Sequence, residues 1–286
     1  MQPFTISPQK ELFDLSYQSQ KEKLDLHIQL DKSFLYVSRF HEKSHQYLSL
    51  KCYNFKKATD WNQNLAKIQA VVKDIEPNDS SLLQLSFTDT LYTLVPAALF
   101  EEDQLASYLS FNHPVNDFED LELAFNRLPK HEIVIVYAIP GKVKAIFQDH
   151  FLNFKQHHFS FPLIESFLTN ETAPEQACLH IQAERFELMI KKENQLQYFN
   201  SFDYTSAEDL LYYLLFVIEQ LQIDREEMPM KLYGEFEKHS TLYDLLHRYI
   251  RKLEIGKRPA GINFSKVLDQ VPEQYYHLLF NQYLCE

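Results

Sequence analysis

Leu26-His27-Ile28-Gln29 opens a run that reads LHIQLDKSFLYV, and Leu179-His180-Ile181-Gln182 opens another that reads LHIQAERFELMI. The likeness continues past the shared letters: Asp31-Lys32 stands against Glu184-Arg185, Leu35 against Leu188, Tyr36 against Met189 and Val37 against Ile190. In each copy a charged pair separates two runs of alternating apolar and polar residues. Alternation with a period of two marks a strand with one covered face. Each copy therefore predicts a β-hairpin whose turn falls at the charged pair. Two such hairpins, set about half the chain apart, predict an internal duplication. At 286 residues the chain has the length for two domains of ordinary size.

The order of elements after each hairpin repeats as well. In the first copy Leu24–Leu30, Phe34–Phe40 and Gln46–Phe55 read as a three-stranded meander, with Asp31-Lys32-Ser33 as its first turn. A helix over Thr59–Ile75 follows, with Trp61, Leu65, Ile68, Val72 and Ile75 on one stripe, ended by Pro77-Asn78-Asp79. Strands are expected at Leu82–Phe87 and Tyr92–Val95, then a helix near Glu101–Ser110 and an acidic, irregular connection over Asn112–Lys130. Ile133–Ile139 (IVIVYAI) is apolar and β-branched, the pattern of a buried central strand. A helix over Lys142–Phe154, a short strand at Phe159–Phe161 and a helix at Pro162–Leu168 complete this half. The second copy gives strands at Ala177–Ala183, Phe186–Lys191 and Gln195–Phe202. A helix starts at the capping box Ser206-Ala207-Glu208-Asp209, followed by a strand at Met230–Tyr233 closed by Gly234. A helix at Thr241–Lys252, a strand at Leu253–Ile255 and a last helix near Glu273–Tyr283 end the chain. The expected division is a loose lead-in over 1–23, with a mixed-charge run at Gln18–Lys23, and domains at 24–172 and 173–286.

Composition excludes several functions. The net charge of −12 opposes binding to nucleic acid, which needs cations to displace phosphate counterions, and to anionic membrane surfaces. No apolar run approaches the roughly 20 residues of a membrane-crossing helix, so no direct membrane insertion is expected. Cys52, Cys178 and Cys285 are isolated and odd in number, which points to buried thiols in the cytoplasm. The histidines show no zinc spacing, and no Gly-x-Ser-x-Gly nucleophile pattern is present. Four glycines, Gly141, Gly234, Gly256 and Gly261, leave few places for a loop that brings backbone N–H groups onto a phosphate.

Three antiparallel strands followed by alternating helices and strands, present twice, resemble the tandem ribonuclease-H-like domains of the actin-like ATPase superfamily, PilM and FtsA among them. Thr93-Leu94-Val95-Pro96-Ala97-Ala98-Leu99-Phe100 resembles the signature of the DUF3822 family of uncharacterised Bacteroidetes proteins. The resemblance implies an α/β chain whose interdomain cleft would hold a nucleotide at three turns. Carried onto this chain, the phosphate turns are Asp31-Lys32-Ser33 and Ala183-Glu184-Arg185, and the adenosine turn is Tyr233-Gly234-Glu235. The superfamily's turns carry glycine after the acid; neither phosphate turn here does, and the adenosine turn keeps one glycine of two. PilM-like and FtsA-like relatives bind a short peptide of a partner. The expectation is therefore a non-catalytic binding or scaffold protein with a protein or peptide partner and no cofactor. The alternative is a nucleotide-dependent enzyme or switch that uses ATP and Mg at Asp31, Glu184 and Arg185.

Overall fold

Both hairpins form, and each seeds its own sheet. The structure, a computed structural model, describes residues 6–15, 24–76, 82–113, 118–152, 154–169 and 173–285. The mixed-charge run at 18–23 and the helix end at 77–79 lie outside the described residues. The chain divides into two compact units, one of Met1–Pro162 with Gly261–Gln270 and Gln282–Glu286, the other of Leu163–Ala260 with Val271–Asn281.

The first unit begins with β1 (Lys10–Phe13), β2 (Asp25–Leu30), β3 (Phe34–His41), β4 (Gln46–Tyr47) and β5 (Ser49–Asn54). Helix α1 (Leu65–Asp74) leads to β6 (Leu83–Phe87) and β7 (Tyr92–Pro96). Then come α2 (Leu105–Asn112), β8 (Leu121–Leu128), β9 (Ile133–Pro140), α3 (Gly141–His150) and β10 (Phe154–His158). The main sheet runs β1-β5-β3-β2-β6-β10, and a smaller antiparallel sheet runs β7-β9-β8. β2 is antiparallel to β3 and parallel to β6, and β6 is parallel to β10. The apolar IVIVYAI run is a central strand, as its pattern predicts, but of the small sheet. There Val134, Val136 and Ala138 pack with Val95 of β7 and Leu109 of α2.

The sequence reading misplaces several elements here. The lead-in contains β1, which covers the edge of β5. The acidic stretch before Pro129 contains β8, because Leu121, Leu123 and Phe125 alternate onto the small core while Glu122 between them stays exposed. Helix α3 stops at His150, whose Nε2 meets the Ile75 carbonyl at 2.8 Å. Phe154–His158 is then a strand, and its parallel ladder with β6 overrides a helix-like spacing of phenylalanines. The alternating polar residues of β2 do not face solvent: His27 and Gln29 are buried, and the Phe40 and Tyr47 rings pack against His27 on that face.

The second unit takes most of α4 (Ser160–Thr169), then β11 (Gln176–Ile181), β12 (Arg185–Lys192), β13 (Gln195–Asp203), α5 (Ala207–Gln220), β14 (Met230–Gly234), α6 (Thr241–Tyr249) and β15 (Leu253–Ile255). Its sheet runs β13-β12-β11-β14-β15. Order and strand directions repeat those of β5-β3-β2-β6-β10. Leu179, Ile181, Phe186, Leu188 and Leu232 pack under Leu210, Leu214 and Leu246 of α5 and α6, each contributing about 1.5–3 kcal/mol. The predicted capping box closes α5 in both directions between Ser206 and Asp209. β16 (Asn263–Phe264) then pairs with β4 in the first unit. The expected last helix is reduced to α7 (His277–Phe280), because Tyr276 takes φ 54° and breaks it. Among the described residues no helix is long and apolar enough to cross a membrane.

The two sheets fix an equivalence that the shared letters miss. Asp31 N donates to Phe34 O at 2.9 Å, and Gln182 N donates to Arg185 O at 2.8 Å. Thr88 N donates to Leu30 O just as Glu235 N donates to Ile181 O, both at 2.8 Å. Leu30 therefore corresponds to Ile181 and Asp31 to Gln182. The LHIQ alignment is displaced by two positions from this register. A shift of two leaves every side chain on its own face, which is why the displaced alignment still alternates correctly.

Candidate functional site

In the first unit the β2–β3 turn is closed by its own side chains. Asp31 Oδ1 accepts the Ser33 N–H at 2.8 Å, which satisfies a donor that a phosphate would otherwise take. Ser33 Oγ accepts from Ala58 N at 3.2 Å. Asn64 donates to the Lys32 and Lys56 carbonyls at 2.9 and 2.7 Å. The Lys32 ammonium lies 3.4 Å from Asp89. Asp89 also accepts from the Trp61 indole at 2.7 Å and from Leu91 N at 3.2 Å. Burial pushes the Asp89 carboxyl up, and Lys32, Trp61 and Leu91 together pull it below its ordinary value. Sequence reasoning missed Asp89, Trp61 and Asn64. Trp61 and Asn64 share the short helical turn before α1 and Asp89 follows β6, and no local pattern ties either segment to the hairpin turn.

In the second unit the turn is Gln182-Ala183-Glu184-Arg185. The Tyr204 hydroxyl donates to Gln182 O at 2.6 Å, and Tyr204 N donates to Glu184 O at 3.0 Å. Arg185 points back along the strand: its Nε meets Glu187 Oε1 at 2.8 Å. His180 Nδ1 meets the other oxygen at 2.7 Å, and the Gln182 amide reaches both at 3.3 Å. Burial raises the Glu187 pKa, and Arg185 with His180 more than reverses that, leaving it below the ordinary value. His180 and Glu187 are cross-strand partners, a pairing the sequence shows once the turn length is known. Glu184 stands where the first turn has Ser33, so Asp31 and Glu184 are not equivalent acids.

Gly234 and Glu235 follow at the same end of this sheet, beside Ile181. Gly234 has φ +102°, and a Cβ there would fall 1.9 Å from the Ile181 carbonyl oxygen. Its N–H donates to Gln274 O at 2.9 Å. Within this unit the structure thus brings together Glu184, Arg185, Gly234 and Glu235; Asp31, Lys32 and Ser33 form the corresponding end of the other sheet. Thr93–Phe100 runs along β7 into a 3-10 turn, with Phe100 under the Arg127 guanidinium at 4.7 Å. Among the described residues no group of three or more His, Cys, Asp or Glu side chains is placed to hold a metal ion.

Each unit also buries histidines. His27 Nδ1 meets the Tyr47 hydroxyl at 2.7 Å, and burial, with a smaller effect of His157, lowers its pKa to about 3. Burial and Lys155 lower His157 to about 4. Burial, His180 and Lys231 hold His277 well below its ordinary value. All three are neutral in the folded chain, whereas the unfolded chain protonates them near pH 6.5. The unfolded state therefore gains protons first as pH falls. The stability these groups contribute is complete above about pH 6.5 and is lost as pH falls toward their folded values. From pH 7 to pH 5 the expected loss is about 2 kcal/mol each for His27 and His157. Urea melts at the two pH values check it, and His157→Gln should flatten the slope by its own share.

The chain matches, over residues 14–253, the family described as protein of unknown function DUF3822. The chain belongs to this family. No curated protein matches the DUF3822 chain. Among solved structures it is similar to a protein from Bacteroides thetaiotaomicron with the actin-like ATPase fold and unknown function. That match has 23% identity and a TM-score of 0.71, and covers 82% of this chain and 91% of that one. It is also similar to the PilM-PilN type IV pilus biogenesis complex, with 13% identity and a TM-score of 0.59, covering 91% of this chain and 98% of that one. The DUF3822 chain thus has the actin-like ATPase fold, and its repeated five-strand order is the tandem ribonuclease-H-like pair.

Proposed function

We propose that this DUF3822 protein is a cytoplasmic, non-catalytic binding module that takes a protein or peptide partner and no nucleotide. One observation carries the reading. One backbone donor in or beside each expected ligand turn is bonded within the chain: Ser33 N to Asp31, Gln182 N to Arg185 O, and Gly234 N to Gln274 O. A phosphate arriving there would have to break these bonds in exchange for its own, and neither phosphate turn has a glycine to let the backbone rearrange. Lys32 and Arg185, the cations nearest the turns, are held by Asp89 and Glu187. The solved relative that pairs PilM with PilN is the support for a protein partner.

Calorimetry with Mg-ATP tests the proposal, and no saturable heat is expected. Tight Mg-ATP binding that disappears in Asp31→Ala, together with turnover, would overturn it in favour of a nucleotide-dependent switch at Asp31, Glu184 and Arg185.

A further inference from the structure

The second unit contains a cavity of about 380 Å³ beside β14 and β15. It opens on the sheet face opposite the apolar core. Lys231 and Tyr233 alternate with the core residue Leu232, and Glu254 stands beside Lys231 in the parallel register. The segment after β15 brings Lys257 and Arg258 to the same wall. Three cations and one carboxylate therefore surround a concave space in a chain whose acids outnumber its Lys and Arg, 40 to 28.

The wall is built, not incidental. Arg258 Nη2 donates to the Val271 carbonyl at 3.0 Å, which fixes the guanidinium. Tyr233 stacks on His277 with ring centroids 3.7 Å apart. A Cβ on Gly256 would lie 2.1 Å from the Tyr233 ring. Glycine at this position lets the strand end lie flat on that ring, and the Gly256 N–H donates to Leu232 O at 2.8 Å. One of the chain's four glycines thus serves this wall. Burial, with the positive charge of Lys231 and the nearby His180, keeps the His277 imidazole neutral. The cavity exceeds what a bare phosphate needs and falls within the roughly 300–1,000 Å³ of small-molecule sites.

We infer that this cavity binds a small organic anion, a carboxylate or phosphate ester, whose charged group meets Lys231, Lys257 and Arg258 and whose body lies beside the Tyr233–His277 stack. Cationic side chains converging in a partly enclosed space attract an anion more strongly than they would in open water. The inference does not depend on the state of the hairpin turns.

The test is calorimetry and thermal melting of the full chain with phenyl phosphate, benzoate and inorganic phosphate, at constant ionic strength against chloride. Saturable binding of at least one organic anion and a raised Tm are expected. Lys231→Gln with Lys257→Gln should weaken that binding about tenfold or more. Lys257 is exposed, so Lys257→Glu repeats the test without disturbing the sheet. Three results would overturn the inference: no saturable binding by any probe, inorganic phosphate binding as tightly as the esters, or binding that these variants leave within about twofold. None of the substitutions touches Asp31 or the turns, so this outcome is read separately from that of the Mg-ATP titration.

Discussion

Glu187→Ala is expected to destabilise the protein by about 3–5 kcal/mol, the usual result of removing one partner from a buried charged cluster. The carboxylate is completely buried and joins Arg185, His180 and the Gln182 amide. Alanine removes the counter-charge that Glu187 gives the Arg185 guanidinium, whose side chain is only 13% exposed. It also leaves the His180 Nδ1 without its acceptor. Removing one partner of a buried charged cluster costs more than the pair contributed. Glu187→Gln separates charge from shape, since the amide can still accept from one neighbour; its loss should fall between wild type and alanine. Chemical denaturation gives all three values. A loss below about 1 kcal/mol for Glu187→Ala, the level of an exposed pair, would show that Arg185 is held by something else. The result also bears on function, because an Arg185 positioned by Glu187 is a structural residue first.

Local patterns carried the fold further than they carried the site. The period-two runs at Leu26 and Leu179 mark two real hairpins, and the capping box at Ser206 and Asp209 forms as its spacing predicts. Those signals depend on neighbours within a few residues. The alignment of the two copies does not, and the LHIQ letters place Glu184 opposite Asp31 where the hydrogen bonds place Gln182. Identity of letters reports which face a residue takes; only the turn length reports where along the strand it stands. β8 was hidden because its short apolar alternation follows directly on the acidic residues Glu119 and Asp120. β10 was hidden because a parallel ladder with β6 is a long-range contact. The charged turns were legible as turns. Their meaning was not, since Asp89, Asn64 and Tyr204, which occupy the turn groups, are brought there by tertiary structure. The same limit applies to Glu187, which reads in sequence as an ordinary strand acid and becomes the centre of a buried cluster only when β11 and β12 pair.

Gly234→Ala is expected to be at least as damaging as the loss of Glu187, by about 3 kcal/mol or more, or to prevent folding. Two costs coincide at this residue. Its φ of +102° lies where a side chain is strained, and the added Cβ would meet the backbone of Ile181, with the oxygen at 1.9 Å and the nitrogen at 2.7 Å. Backbone cannot swing aside as a side-chain tip can, and β11 and β14 are interior strands in parallel register. Gly261→Ala is the control. That glycine has φ +78° but nothing within 4 Å of the added Cβ, so it should lose only about 1–2 kcal/mol, the conformational part alone. Equal losses in urea melts of the two variants would mean that the strand contact contributes nothing. A large difference would mean that the close approach of Ile181, added to the positive φ, requires glycine at 234. Its presence at the position of an adenosine turn is then explained without a nucleotide, and the glycine most suggestive of ATP binding ceases to count toward it.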